Sequence, residues 1–170
     1  MVLSCQGPKL SNFISLARLR APKHAEFRVR QMVCEAPLDL PPVAPLPLGT
    51  TDVPEMLELT AATEPGPFSP QTIQMGSYFG TRASDGRLVA MAGERLQSTG
   101  FAEISAVCTL PEFRGRGYAR ALTTFVAAQI LATGKMPVLH VKSENGAKVV
   151  YQKIGFRLRA AIWLTVIALR

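Results

Sequence analysis

One short run of the sequence, residues 114–119, reads Arg114-Gly115-Arg116-Gly117-Tyr118-Ala119. It lies between an apolar run that ends at Thr109 and a segment with helical spacing. Glycine lets a ligand approach the backbone closely, and the unpaired N–H groups of a first helical turn bind anions. The two arginines of the run, with Arg120 beside it, add cations that suit phosphate. The run therefore predicts a phosphate-bearing ligand at the start of a helix.

Two common phosphate-binding folds are excluded by what the sequence lacks. No Gly-Lys-Ser/Thr stands at this point, as a P-loop requires. A dinucleotide-binding fold needs a third glycine and a distant acidic residue, and neither follows in the expected place.

The segments around the run alternate between helical and strand-like patterns. After it, Leu122, Val126 and Ile130 recur at helical spacing, and Gly134 follows as a C-terminal cap. Glycine-bearing breaks between the preceding apolar runs predict two antiparallel hairpins. The predicted strands are 46–48, 77–82, 87–96, 101–109, 136–141 and 156–169. Three further helices are predicted: a short one that begins at Asp52, a second short one at about 70–75, and a third at 146–154.

Two motifs together resemble one superfamily. Positions 114, 117 and 119 match the (Gln/Arg)-x-x-Gly-x-(Gly/Ala) signature of the GNAT superfamily of acyl-CoA N-acyltransferases. Further on, a second run resembles the terminal motif of the same superfamily, and it reads Ala147-x-x-Val150-Tyr151-x-x-x-Gly155-Phe156. The resemblance implies acetyl-CoA as co-substrate and a primary amine as acceptor.

The resemblance and the element order imply an α+β fold with α/β/α-like layers. We expect a mixed, mostly antiparallel sheet of about six strands with two main helices packed on it. Residues 45–170 form the predicted acetyltransferase domain. Residues 1–44 are predicted to be an atypical N-terminal extension that ends in a proline-rich linker, with a weak strand signal at 27–34 that has no identifiable partner.

The resemblance also implies which residues bind acyl-CoA. The strand before the signature is expected to splay from its neighbour, so that its backbone binds the pantetheine arm. The implied contacts are Val107, Cys108, Thr109, Arg114, Gly115, Arg116, Gly117, Tyr118, Ala119, Arg120 and Asn145. Asn145 departs from the family pattern, because Glu144 occupies the usual asparagine position. A helix-capping role for Asn145 or Ser143 is therefore an equal alternative.

A base is needed because an ordinary lysine-type amine is protonated at pH 7, at a cost of about 4–5 kcal/mol to deprotonate. Glu103 stands on the strand before the signature, where a glutamate of the histone acetyltransferase branch is the general base, so the resemblance implies that role. Two alternatives stay open. Glu103 could be a solvated strand residue paired with Arg95, and Glu94 on the adjacent strand could be the base.

The leaving thiolate needs an acid, and the resemblance assigns this role to Tyr151. The backbone N–H of Val107 is a candidate for stabilising the developing oxyanion. Transfer is expected to be direct, in a ternary complex, without a covalent enzyme intermediate. Cys108 and His140 could form a thiol–base pair, but each stands in an apolar run, where a buried cysteine and a hydrogen-bonded histidine are commoner.

The charge and the cysteines limit which partners, metals and cellular compartments are expected. The net charge is +7, and the first thirty residues hold six cations against Glu26 alone, which leaves +2 for the other 140 residues. We therefore expect no nucleic acid partner for the domain. The three cysteines lack disulfide or zinc spacing, so no metal is expected. A cytoplasmic protein without membrane contact is predicted, with a homodimer left open and a transit peptide in the first thirty residues as the alternative address.

Overall fold

The computed structural model describes residues 2–5, 24–36, 45–143 and 145–167. Three α-helices and eight strands occur in these ranges, besides short 3-10 turns. The strands are β1 (Val2–Cys5), β2 (His24–Val33), β3 (Leu46–Leu48), β4 (Tyr78–Arg82), β5 (Leu88–Gln97), β6 (Phe101–Thr109), β7 (Met136–Lys142) and β8 (Arg157–Ile167). The helices are α1 (Val53–Thr63), α2 (Tyr118–Ala132) and α3 (Lys148–Ile154).

All eight strands belong to one mixed sheet with the order β1-β8-β2-β7-β6-β5-β4-β3. Every neighbouring pair is antiparallel except β6 and β7, which are parallel because α2 crosses over between them. The predicted α+β class, with a mixed and mostly antiparallel sheet, is confirmed. The element positions also agree, although residues 72–75 form a 3-10 helix.

The clearest difference from the prediction concerns β2. Its strand signal lacked a partner in the sequence, yet β2 pairs with β7 on one side and β8 on the other. Residues 24–33 therefore lie in the middle of the sheet, although the sequence placed them in an extension ending at residue 44. The partners are more than a hundred positions away in the chain, so no local pattern could reveal the pairing. Most of the proline-rich linker lies outside the described residues.

Two apolar clusters cover opposite faces of the sheet. One contains Leu122, Val126 and Ile130 of α2 together with small side chains of β5 and β6. The other contains Met56 and Leu59 of α1 packed on β4 to β6. We call these the α2 face and the α1 face. The alternation of side chains along each strand then decides which polar residues share a face.

Candidate active site

The parallel pair β6 and β7 is hydrogen-bonded only at its beginning. The paired residues run from Phe101–Met136 to Ile104–Leu139. Beyond them β7 pairs with β2, while β6 continues along β5 as far as Thr109. The two strands therefore separate after Ile104, and the backbone of the later part of β6 has no ladder partner on the β7 side. Val107, Cys108 and Thr109 belong to this part.

A bulge lies in β6 where the separation begins. Ala106 has φ 52°, in the left-handed region that residues with a Cβ rarely adopt. The pairing moves from Met91–Cys108 to Gly93–Ser105, so β6 has one residue more than β5 over this stretch. Such a bulge changes which face the following side chains point to. Ala106 and Cys108 accordingly pack on the α1 face.

The predicted anion site has the backbone of a glycine-entered helix. Gly115 and Gly117 have φ 78° and 84°, and Gly117 is the N-cap of α2. The first hydrogen bond of the helix runs from the N–H of Ala121 to the Gly117 carbonyl, at 3.0 Å. The N–H groups of Tyr118 and Ala119 precede that bond, at an exposed loop, where a phosphate could approach them.

The two arginines of this loop are partly engaged within the chain. The Nε of Arg114 donates to the Thr109 carbonyl at 3.3 Å. The guanidinium of Arg116 lies 4.8 Å from the ring centre of Phe113, and Arg87 approaches the same ring at 5.5 Å. Neither Phe113 nor Arg87 was among the site residues predicted from the sequence. Both guanidinium groups remain at the exposed mouth of the loop.

Glu103 is buried, with 2% of its surface exposed. Its Oε1 accepts hydrogen bonds from the Nη2 of Arg95 at 2.8 Å and pairs with the Nδ1 of His140 at 2.8 Å. The Nε of Arg95 reaches Oε2 at the longer distance of 3.3 Å. The pairing with Arg95 was foreseen as an alternative, but the carboxylate is enclosed and not solvated.

Burial and hydrogen bonding act on Glu103 in opposite directions. Burial by itself raises the pKa of the carboxyl. The hydrogen bonds from His140 and Arg95 and the charge of Arg95 outweigh this and hold the pKa below its ordinary value. Glu103 is therefore ionised at neutral pH and still has a lone pair on Oε2 for a further donor.

Glu94 lies on the other face of the sheet. Its strand neighbours Ala90 and Ala92 pack in the α2 cluster, and the alternation continues to Glu94. Its Oε2 accepts a hydrogen bond from Gln97 at 2.8 Å, and Gln97 in turn accepts one from Lys135. Burial raises the pKa of Glu94, partly offset by Lys135. The raised pKa would suit a base, but a base must first lie within reach of the proton that it accepts. The carboxylates of Glu94 and Glu103 point to opposite sides of the sheet, so only one of them can face a given acceptor.

Tyr151 is buried on α3, 9% exposed, and its ring packs edge-on to Phe156 with centroids 6.2 Å apart. Burial, with a smaller contribution from nearby Cys108, raises the pKa of Tyr151 to about 12. Burial likewise raises the pKa of the Cys108 thiol to about 11. The phenol and the thiol both stay protonated at neutral pH, so Cys108 lacks the thiolate that a nucleophile needs. His140 is bonded to Glu103 and not to this thiol.

The Asn145 side chain makes a local turn contact ahead of α3, whose N-cap is Ala147 and has no side-chain capping bond. Its Oδ1 accepts the N–H of Ala147 at 2.9 Å, just ahead of α3. The Ser143 hydroxyl donates instead to the carbonyl of Arg28 on β2. Glu144, which occupies the usual family position, lies outside the described residues.

The structure adds Tyr78, which the sequence did not mark. Its ring lies on Gly93, where a Cβ would come within 2.3 Å of it, so glycine is required there. The ring also meets Phe68 of the 64–68 turn edge-on, with centroids 5.7 Å apart. The hydroxyl is buried and has no hydrogen-bond partner among the described residues. Tyr78 and Phe68 form an aromatic wall on the α1 face, the face to which Glu103 points.

The glycine-entered helix and the separation of β6 from β7 are the arrangement that the resemblance to the GNAT superfamily implies. Residues 78–164 match the family model described as FR47-like protein. The chain belongs to this family, within the GNAT acetyltransferases. Among the described residues, no helix combines the length and apolar character needed to cross a membrane, and no cluster of three metal-ligating side chains occurs.

Three comparisons give the extent of the similarity. A putative GNAT-family acetyltransferase from Novosphingobium aromaticivorans is 39% identical, with a TM-score of 0.80, over 90% of this chain and 70% of that one. A GNAT acetyltransferase from Colwellia psychrerythraea shares the fold at 18% identity and a TM-score of 0.69, over 98% of this chain and 64% of that one. The mycothiol acetyltransferase of Tsukamurella paurometabola is 35% identical over 49% of this chain, which spans only 30% of that protein.

Proposed function

We propose that this protein is an N-acetyltransferase that transfers the acetyl group of acetyl-CoA directly to a primary amine. The observation that carries the proposal is the buried, ionised Glu103 beside the point where β6 and β7 separate. Family membership supports acyl transfer, and the separated strands offer backbone groups to an extended pantetheine chain. We propose no acceptor more specific than a primary amine, because this chain spans only 30% of the mycothiol acetyltransferase to which it is similar.

The residues proposed to bind acetyl-CoA form two groups. Gly115 to Arg120 provide backbone N–H groups and cations for the pyrophosphate, at the positive end of the α2 dipole. Val107, Cys108 and Thr109 line the gap with backbone groups that lack a β7 partner. The N–H of Val107 is a candidate donor to the oxygen on which negative charge develops.

Glu103 is the proposed base, acting through Oε2 directly or through one water. Its Oε1 already accepts two hydrogen bonds, whereas Oε2 has one long contact with Arg95. A base with a low pKa is always ready to accept a proton but accepts it weakly, so a pre-deprotonated or desolvated amine suits it best. Glu94 is a poorer candidate because it faces α2 and is bonded to Gln97.

Tyr151 is the proposed donor to the leaving thiolate. An ordinary thiol has a pKa of about 8.5, so full proton transfer from a phenol with a pKa of about 12 is uphill. A hydrogen bond from the Tyr151 hydroxyl to the thiolate would lower the barrier without a completed transfer. The thiolate could then be protonated by solvent on release.

A CoA-binding module without turnover is the second candidate. It is favoured by the enclosure of Glu103, whose Arg95 and His140 bonds also suit a purely structural ion pair. The two candidates differ in one measurable respect, because both require CoA binding while only one releases thiol.

The test is to incubate purified protein with acetyl-CoA and a panel of amino acids, polyamines and peptides with free N-termini. We expect thiol release with at least one acceptor and its acetylated product by mass spectrometry. Glu103→Gln should lower kcat/KM by about 10²–10⁴-fold with CoA affinity retained, since that is the usual contribution of a general base. Glu94→Gln is the matched control and should stay within about twofold.

Two results would contradict the proposal. CoA binding by calorimetry with no thiol release from any acceptor would favour the module. Equal losses for Glu103→Gln and Glu94→Gln would remove the special role of Glu103. Thermal unfolding of each variant checks that activity is compared between folded proteins.

A further inference from the structure

A row of polar side chains crosses five adjacent strands on the α1 face. From β5 to β8 its members are Arg95, Glu103, His140, Gln31 and Arg159. The strands follow one another in the sheet as β5, β6, β7, β2 and β8. Glu103, the second member of the row, is almost fully enclosed, and Arg159, the last member, is exposed.

The outer half of the row consists of two short contacts. The Nη1 of Arg159 donates to the Oε1 of Gln31 at 2.5 Å. The Nε2 of Gln31 lies 3.0 Å from the Nε2 of His140. Gln31 and His140 are direct partners in the register of β2 and β7, so the backbone itself brings the two side chains together.

These contacts assign every proton in the row. A guanidinium only donates, so the amide oxygen of Gln31 must face Arg159 and its NH₂ must face His140. The Nε2 of His140 then accepts, which leaves the proton of the neutral ring on Nδ1. That proton points to Glu103 Oε1, 2.8 Å away.

We propose that Gln31, acting through His140, is a positioning residue for the Glu103 carboxylate. The Gln31 amide keeps the Nε2 of His140 as an acceptor and holds the ring, so that Nδ1–H donates to Oε1 and holds Oε2 toward the acceptor. Arg159 keeps the Gln31 amide in the required orientation. The proposal rests on the proposed acetyltransferase function, and it gives β2 a role in the site although β2 lies outside the family match at 78–164.

A second carboxylate on the opposite face provides the contrast. Glu94 also accepts a hydrogen bond from a glutamine, Gln97, which is itself held by Lys135. In that cluster Gln97 is exposed, Glu94 and Lys135 are half-buried, and these three residues include no histidine. It combines an amide, a cation and a carboxylate, as the row does, but it has no imidazole ring for the amide to hold. Gln97→Leu is therefore a matched control for Gln31→Leu.

The groups that act on Glu103 come from three strands. Arg95 faces it from β5 and His140 from β7. Tyr78 of β4 is close enough that the charges of Arg95 and Glu103 act on it. Arg159 lies beyond Gln31 and does not touch the carboxylate. Of these, only His140 changes its bonding to Glu103 when the Gln31 amide is removed.

The first readout is the tautomer itself, which needs no activity. The chain has two histidines, so nitrogen-resolved NMR with a His24→Gln background shows the His140 ring alone. We expect the neutral ring to carry its proton on Nδ1 in the parent protein and in Gln97→Leu. In Gln31→Leu we expect part of the rings to carry a proton on Nε2 as well, because no amide N–H then faces that atom, while the Glu103 carboxylate still holds the proton on Nδ1. The Nε2 tautomer in the parent protein, or an unchanged ring in Gln31→Leu, would overturn the proposal.

The second readout is the pH dependence of kcat/KM relative to the parent protein, which cancels ionisation of the amine. His140→Leu removes a donor to Glu103 and so raises the pKa of that carboxyl. We expect kcat/KM to fall about tenfold, with the ratio to the parent decreasing further from about pH 8 to about pH 5. His140→Asn, whose Nδ2 can replace Nδ1–H, should restore most of the loss. A uniform loss without pH dependence or rescue would overturn the proposal.

The two proposals fail differently. If the parent protein acetylates no amine, the proposed function fails. The NMR experiment on the His140 ring can still support or contradict the contact between Gln31 and His140, because it needs no activity. If the parent is active and the Gln31→Leu and His140→Leu variants match it at every pH, only the positioning role fails.

Discussion

The two ends of strand β6 are built on different principles. The first part, Phe101–Ile104, is hydrogen-bonded to β5 and to β7, and it holds a buried carboxylate by contacts from β5 and β7. The later part, Ser105–Thr109, has lost β7 and leads through Gly115 and Gly117 into an exposed helix start. The buried carboxylate is thus held by contacts between strands, whereas the loop at the start of α2 depends on local backbone geometry. The predictions below test each end separately.

The largest effect is expected from Arg95→Met, at the first end of β6. The variant leaves Glu103 buried with only His140 as a partner. Breaking a buried ion pair costs about 3–5 kcal/mol, and the remaining His140 bond lowers our expectation to about 2–4 kcal/mol. Urea unfolding measures the loss. A loss below about 0.5 kcal/mol would show that the pair contributes no more than a surface salt bridge.

The same variant should reverse the pH dependence of stability near Glu103. In the parent protein the pKa of Glu103 is lowered, so its stabilisation is present above the ordinary value of 4.5 and is lost as the pH falls through the folded value. Without Arg95, burial dominates and raises that pKa. The penalty of Arg95→Met should then shrink as the pH falls toward 5, and a penalty independent of pH would contradict this account.

The proposed hydrogen-bond donor to the leaving thiolate is tested by Tyr151→Phe. Losing a hydrogen bond to a charged group costs about 1.5–3 kcal/mol, so kcat should fall by about 10–100-fold while the affinity for CoA stays unchanged. Because the pKa of Tyr151 is about 12, the parent enzyme should show no basic limb from this residue below about pH 10. A basic limb near neutral pH that disappears in the variant would contradict the raised pKa.

The later end is tested by Gly117→Ala, where φ is 84° and no atom stands within 4 Å of the added methyl group. The variant therefore introduces left-handed strain of about 1–2 kcal/mol and no internal clash. We expect the Kd for CoA, measured by calorimetry, to rise by about tenfold. Gly134→Ala at the other end of α2 has φ 77° and equally open surroundings, so it carries the strain alone. It should lose stability and keep its CoA affinity.

The smallest effect is expected from Cys108→Ser, at a residue in the part of β6 that is separated from β7. With a pKa of about 11, about one thiol in ten thousand is ionised at pH 7, so the sulfur is not a nucleophile. We expect kcat/KM within about twofold of the parent. A loss comparable to that of Glu103→Gln, or an acetylated Cys108 trapped by mass spectrometry, would contradict direct transfer.

The positions of α2, α3 and the hairpins followed from the sequence because their signals are local. Gly134 and Gly155 end helices with φ 77° and 108°, as glycine at a C-terminal cap does. The break at residues 84–86 and the pairing of β5 with β6 also agree with the pattern of turn residues. The role of β2 could not be predicted, since an alternating strand gives its faces but not its partners.

The candidate site divides in the same way. Glu103 was selected by its position on the strand before the glycine run, and its partner Arg95 is only eight residues away. His140 reaches the same carboxylate from 37 residues away, and Gln31 contacts His140 from 109 residues away. The sequence favoured Glu103 as the base and left Glu94 open as a competing base. The register of β5 with β6, which pairs Glu94 with Ile104, puts the carboxylates of Glu94 and Glu103 on opposite faces.

The sequence by itself determined the glycine-entered helix, the α+β class and the family, because these depend on residue spacing within single elements. Only the tertiary structure decided the sheet order, the enclosure of Glu103 and the row from Arg95 to Arg159. Those features depend on which strands lie side by side, and strand pairing is fixed by the packing of the whole sheet between its two helical faces and not by any one segment.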